Sequence, residues 1–251
     1  MIDAALQRFI AGAATLGLHY DFLLSGGEVR SWLAGMAMTL LLVVLAIPLS
    51  LLAGTAFAAA LTSGRPWLAG PVRAYVELTR NTPTLVQLMF AFFALNMLLS
   101  RALGGAAHNP FSPVFWVVAV TGLHVAAFHA EALRGGIEAV PAPLVEAAQA
   151  TGFSGLEILR YVTLPLALRT ALPALVNNLV NLVKLTTIGS AIAVNEVTYA
   201  SIMIWTQRDN VLELMIVILL FFGLINLTVS RIGRAVERRL AVPGYGAGYG
   251  V

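Results

Sequence analysis

Charged residues punctuate this chain at long intervals, and the uncharged runs between them have the length of a bilayer crossing. A spanning helix needs roughly 20 apolar residues, because about 30 Å of hydrocarbon is crossed at about 1.5 Å per residue. Between Arg30 and Arg65 lie 34 uncharged residues, with Pro48 inside, which predicts a first span over about 31–61. Between Arg80 and Arg101 lie 20 more. Thr82-Pro83 opens that second span, 83–101, as a capping residue followed by the residue type favoured at the first helical position. Asn109-Pro110 and Ser112-Pro113 break the following stretch, so the third span is 114–131. A fourth run covers 165–194, with Arg169 near its start and Lys184 well inside, and a fifth covers 212–231.

What lies outside the runs reads differently. Residues 1–30 are mildly apolar but hold Asp3, Arg8, His19, Asp21 and Glu28, with no basic region leading into a cleavage site. They are expected to form a periplasmic or interfacial segment rather than a span or signal peptide. The end of the chain, 241–251, holds Pro243-Gly-Tyr-Gly-Ala-Gly-Tyr-Gly-Val251, a low-complexity tail expected to be flexible.

Composition sharpens the picture. Only 11% of the residues are charged and 59% are hydrophobic, with a mean hydropathy of +0.86, where a soluble domain averages about 25% charged. Such a chain cannot cover itself with polar groups in water, so a soluble globule and a disordered chain are both excluded. It is expected to be an all-α integral membrane protein with about five transmembrane helices. The absence of cysteine removes disulfides, thiolate metal sites and cysteine nucleophiles.

The net charge of +3 points to topology rather than nucleic acid. One alternating set of connecting segments holds ten arginines, among them Arg65, Arg73, Arg80, Arg134, Arg160, Arg169 and the quartet Arg231, Arg234, Arg238 and Arg239. The other set holds Arg8, Arg30, Arg101 and Arg208. Basic connections stay in the cytoplasm, which predicts five spans with the N-terminus outside and the C-terminus inside.

The long cytoplasmic connection, 138–164, has a helical pattern. Pro141 and Pro143 precede Leu144-Val-Glu-Ala-Ala-Gln-Ala-Thr151, a run of good helix formers ending at Gly152, the usual residue past a helix C-terminus. Ser154 and Glu157 then form a capping box that starts a second short helix, and Pro165 opens the next span. A two-helix loop lying along the membrane surface is predicted.

Glu146-Ala147-Ala148, Gly152 and Val162-Thr163-Leu164-Pro165 resemble the EAA loop of permeases of ATP-binding-cassette importers, with Val162 where Ile is commoner. Tyr75-Val-Glu-Leu-Thr-Arg-Asn-Thr-Pro-Thr-Leu-Val-Gln87 and Ala130-Glu-Ala-Leu-Arg-Gly-Gly-Ile137 are similar to segments of the polar amino acid branch, and Ala171-Leu-Pro173 through Asn177, Lys184 and Thr186 continues the likeness. It covers about residues 32–240. Two positions depart: Asn81 stands where Gly is usual, and Leu185 where many members have Asp or Asn.

The resemblance implies a permease subunit that couples ATP hydrolysis on a separate subunit to alternating access for a polar amino acid or related solute. Glu146, Ala147, Ala148, Gly152, Leu164 and Pro165 would dock to that ATPase, which binds the ATP and Mg; no cofactor is expected in this chain. A solute-binding protein outside, and a second permease copy or homologue, are the other implied partners, together with membrane lipid.

Lys184 is the sole lysine, and it lies between Val183 and Leu185, so the chain has no Gly-Lys-Ser/Thr phosphate loop and is not expected to be an enzyme. An ammonium in a helix centre costs roughly 2.5–3.5 kcal/mol on insertion scales and should face a cavity or partner. Asn181 and Asn177 lie about 60° and 20° from it around a helix, and Asn195 returns to that direction if the helix is unbroken. This stripe reads either as a pathway lining, with Thr186, Thr187 and Gln87 as further candidates, or as a subunit interface bonded across helices. Glu131 and Arg134 read as a scaffold ion pair, and the scattered histidines as no metal site. Glu196 and Asp209 read as loop charges facing solvent or a delivery protein. An intramembrane protease would need a Ser-His pair in a Gly-x-Ser-Gly setting or paired membrane aspartates, and all the aspartates lie outside the predicted spans; a secondary carrier would need more intramembrane ionisable groups.

Overall fold

The computed structural model of the chain describes residues 2–105 and 108–239, with side chains from Ala4 onward. The described residues form helices and no strands. In chain order these are α1 (Ile2–Ala14), α2 (Gly26–Leu61), α3 (Pro66–Arg80), α4 (Thr84–Ala102), α5 (Pro113–Glu138), α6 (Ala142–Ala150), α7 (Gly155–Ile192), α8 (Val197–Trp205) and α9 (Val211–Arg239). Helices α2, α4, α5, α7 and α9 are long and apolar enough to cross a membrane, one for each predicted run. The tail expected over 241–251 lies outside the described residues.

The helices outrun the apolar runs that announced them. Helix α5 continues to Glu138 and α9 to Arg239. Charge-free length reads only the part in hydrocarbon, whereas good helix formers and pairs such as Arg134 with Glu138 sustain the helix beyond it. The second short helix expected after Ser154 is corrected: it is the first turn of α7, which runs without a break into the span. Pro165 is therefore inside α7 instead of opening a helix. It has no N–H to give, and its ring crowds the carbonyl four residues back. The preceding turn, Leu159–Thr163, widens to a π-helix in which the Leu164 N–H reaches the Leu159 carbonyl, and the helix carries on.

Two helices, α3 and α8, stand where only connections are expected from the pattern of charges. Helix α3 turns Val72, Tyr75 and Val76 toward Phe57, Leu61, Ala127 and Ala130, an i, i+3, i+4 face hidden among arginines and Pro71. Helix α8 follows a turn in which Ala193 takes a left-handed backbone, φ 58°.

The chain groups into two compact units. The first comprises Met1–Ala46, Leu85–Val120 and Val183–Ile225. In it Phe22, Trp32, Val197, Ala200 and Leu214 form one core, and Leu42, Leu88, Trp116, Val117 and Ile192 another. Gly35 lets α2 approach α8: a Cβ there would lie 2.9 Å from the Ala200 Cβ. The Trp32 indole N–H donates to Ser201 Oγ at 3.0 Å.

The second unit comprises Ile47–Thr84, Thr121–Leu182 and Asn226–Val251. Small residues set its helix contacts, as they do where lipid supplies no hydrophobic drive for association. A Cβ on Gly54 would meet the His129 Cβ at 2.5 Å, and one on Gly122 would meet Leu49 Cδ2 at 2.7 Å.

Candidate functional site

The elbow between α5 and α7 is built from two helix ends that the local sequence specifies. Helix α6 starts behind Pro141, whose extended backbone serves as the N-cap, with Pro143 in the first turn. It stops at Thr151, and Gly152 follows at φ +88°. The Phe153 N–H reaches the Ala148 carbonyl at 3.2 Å and the Gly152 N–H the Gln149 carbonyl at 2.9 Å. These paired bonds form a Schellman motif, which needs the left-handed angle that glycine adopts without penalty.

Two residues later the chain is captured again. The Ser154 N–H donates to Glu157 Oε2 at 2.8 Å, and the Glu157 N–H donates to Ser154 Oγ at 3.4 Å, completing the expected capping box. Ala148 and Ile158 are the buried residues of the two arms, and α6 packs against the first turns of α7. Glu146, Ala147 and Gly152 face outward, with Leu144, Phe153, Leu156 and Tyr161 exposed around them. Leu164 and Pro165 are exposed just beyond. The EAA residues thus divide: Ala148 closes the hairpin, and Glu146 and Ala147 are presented by it.

Glu131 and Arg134 anchor the elbow's other end. Arg134 Nη2 lies 2.8 Å from Glu131 Oε2, its Nη1 lies 2.6 Å from Glu138 Oε1, and Arg80 Nη1 approaches Glu131 at 3.8 Å. The Arg80 guanidinium also sits 5.5 Å from the centre of the Phe128 ring. This is the scaffold role expected of the pair, extended to α3. Gly136 explains its own motif position: a Cβ there would lie 2.4 Å from the Ala167 carbonyl oxygen, so α5 and α7 touch backbone to backbone where the elbow joins the spans.

Along α7, Asn177, Asn181 and Lys184 are exposed on one face. Thr186 is fully buried and its hydroxyl donates to the Val183 carbonyl at 2.8 Å, while the Thr187 hydroxyl donates to the Lys184 carbonyl at 2.8 Å. After Leu185 the helix tightens to a 3₁₀ form over Thr186–Ile192 and ends, so Asn195 does not continue the stripe. Gln87 is half-buried in the first turn of α4. The histidines serve packing: His124 Nε2 meets Thr84 Oγ1 at 2.9 Å, and Asn178 Nδ2 lies 3.5 Å from His129 Nδ1. Among the described residues no three His, Asp or Glu side chains gather at metal-binding range.

Glu196 corrects its expectation as a solvated loop charge. It is fully buried and caps α8, its carboxylate accepting from the Thr198 and Tyr199 N–H groups at 2.9 and 2.8 Å. Burial pushes this carboxyl above the usual range, against the pull of those two donors. The signal was present in Asn195-Glu196-Val197, an acidic residue ahead of an apolar helix, but helix α8 itself was not foreseen.

Five helices long and apolar enough to cross a membrane, with a two-helix elbow between the third and fourth, mark an integral membrane protein. Residues 46–242 match the family described as the binding-protein-dependent transport system inner membrane component, and the chain belongs to that family. It is 34% identical to the glutamine transport system permease protein GlnP of Escherichia coli (strain K12) over 226 residues, 90% of this chain and 100% of the relative. It is 30% identical to the arginine transport system permease protein ArtQ of Bacillus subtilis (strain 168) over 227 residues, 89% and 98% of the two chains. The crystal structure of an amino acid ABC transporter with histidines superposes with a TM-score of 0.75 at 28% identity, covering 88% of this chain and 100% of that one. A methionine ABC transporter in an inward-facing form shares the fold at a TM-score of 0.62 and 19% identity.

Proposed function

We propose that this permease subunit carries a polar amino acid or related small solute into the cell, driven by ATP hydrolysis on a separate subunit. The elbow faces the cytoplasm, with the N-terminus outside, and seats Glu146, Ala147 and the exposed apolar residues around Gly152 in a groove of the ATPase. A solute-binding protein delivers from the other side, and a second copy or homologue completes the pathway. The relatives' substrates, glutamine and arginine among them, support the solute class.

The observation that carries the coupling role is the absence of slack between elbow and span. A Schellman motif, one intervening residue and a capping box join α6 to a helix that continues to Ile192, so displacement of α6 is delivered to α7 without a flexible joint. The stripe of Asn177, Asn181 and Lys184 lies on that moved helix. Lys184 offers its ammonium to the solute carboxylate, the asparagine amides offer donors and acceptors, and Gln87 and Thr187 are the secondary candidates. Leu164 and Pro165 transmit the motion at the π turn.

The test uses the natural lack of cysteine. A single Ala147→Cys variant, co-expressed with its ATPase carrying single cysteines around its upper groove, should cross-link in the assembled complex, and more strongly with ATP bound. Absence of any cross-link in a complex that transports would overturn the docking surface.

A further inference from the structure

A polar pocket of about 290 Å³ lies within the first unit, lined by His19, Asp21, Arg208, Asp209 and Asn210. Its walls are two connections, the one between α1 and α2 and the one between α8 and α9. Long-range bonds hold them together: the His19 N–H donates to the Glu213 carboxylate in the first turn of α9, and the Arg208 Nε donates to Glu28 Oε1 at 2.8 Å. The pocket is therefore fixed before anything enters it.

The lining states what would fit. Asn210 is 2% exposed, and its Oδ1 meets no donor among the described residues. A buried acceptor left unmet is costly, so an N–H brought to it is favoured. Asp21 and Asp209 are exposed carboxylates with no ion-pair partner among the described residues. These two and His19 share the pocket, yet they do not gather at metal-binding range. The matching occupant is thus a molecule whose cationic groups stand apart, not a bare ion. Arg208 gives only its Nε to Glu28, which leaves both Nη groups for a carboxylate. Two carboxylates against one guanidinium leave the lining one negative charge in excess. A ligand with two cationic groups and one carboxylate answers it group for group.

We propose that this pocket binds a free basic α-amino acid, with the carboxylate on Arg208 and the two cationic groups on Asp21 and Asp209. Asn210 Oδ1 accepts from one of those cationic groups. The site shares no residue with the elbow or with the stripe on α7, so its failure would leave the importer reading standing.

The test is equilibrium binding of radiolabelled L-arginine to the purified full complex, without ATP or solute-binding protein. Agmatine, which lacks the carboxylate, and L-glutamine, which lacks the side-chain cation, serve as competitors. Saturable arginine binding is expected, with each competitor weaker by about tenfold or more, since each forgoes one charge-assisted hydrogen bond. Asp21→Asn/Asp209→Asn should weaken arginine by at least as much and leave the complex assembled, because both side chains are exposed. Arg208→Gln/Glu28→Gln removes the guanidinium without stranding its partner and should bring arginine down to the affinity of agmatine. Absence of saturable binding would overturn the proposal, as would arginine binding that the aspartate double substitution leaves unchanged. So would glutamine binding as tightly as arginine, or an advantage of arginine over agmatine that survives the loss of Arg208.

Discussion

Gly136 of α5 faces the carbonyl oxygen of Ala167 in α7 so closely that a Cβ would lie 2.4 Å from it, while a Cβ on the adjacent Gly135 would meet nothing within 4 Å. The obstacle at Gly136 is backbone, which cannot rotate away as a side chain can. Gly136→Ala should therefore force the two helices apart and lower stability by about 1–3 kcal/mol. Gly135→Ala should be close to neutral, or slightly stabilising through helix propensity. Thermal unfolding of the detergent-purified complex compares them, and equal effects would show that the contact is not tight.

Gly152 is an independent test of the elbow. At φ +88° an alanine would carry a left-handed penalty of about 1–2 kcal/mol without meeting any atom, so Gly152→Ala should weaken coupling while leaving the subunit assembled. Gly152→Pro also removes the N–H that reaches Gln149 and should abolish coupling or assembly. Glu146→Lys should do the same by reversing charge on the presented face. The measurement is the ratio of solute transported to ATP hydrolysed in vesicles; wild-type ratios in these variants would remove the loop from the coupling path.

Lys184 separates pathway from scaffold. Loss of a charge-assisted hydrogen bond to a solute carboxylate costs roughly 1.5–3 kcal/mol, so Lys184→Ala should lower uptake by about tenfold or more. It should leave the amount of assembled complex unchanged, because the side chain is exposed. If instead assembly falls and the residual complex transports normally, the stripe is a subunit interface.

Glu196 predicts a pH dependence. Its folded-state carboxyl lies above the unfolded value of about 4.3, because burial penalises the charged form. The native state therefore binds more protons, and its stability falls as pH rises from the unfolded value through the raised folded one. Above that window the penalty of the buried carboxylate is complete and constant. Glu196→Gln keeps an acceptor at the cap and removes the titration. The difference in unfolding temperature between wild type and Glu196→Gln should therefore move in favour of wild type as the pH is lowered into this window. A difference that does not change with pH would show that the carboxyl is not desolvated.

The spans, their number and the two ends of the elbow were legible in the chain because each rests on a local rule. Uncharged length fixes a crossing, Ser154 with Glu157 fixes a helix start, and Gly152 fixes a helix end. What failed was whatever depended on neighbours far along the chain. Nothing local distinguishes Gly136 from Gly135, because the difference is made by a carbonyl at Ala167. Glu196 looked like a solvated loop charge until α8 gave it two N–H groups to cap and a core to sink into. Pro165 looked like a helix start, and only the π turn before it showed how a proline is carried inside a continuous helix. The sequence by itself determined that this protein lives in a bilayer and where the elbow between α6 and α7 bends, since water, hydrocarbon and turn geometry act on each segment separately. The tertiary structure decided which small residues are contacts and which polar groups are buried, because those depend on atoms that meet only when the helices pack.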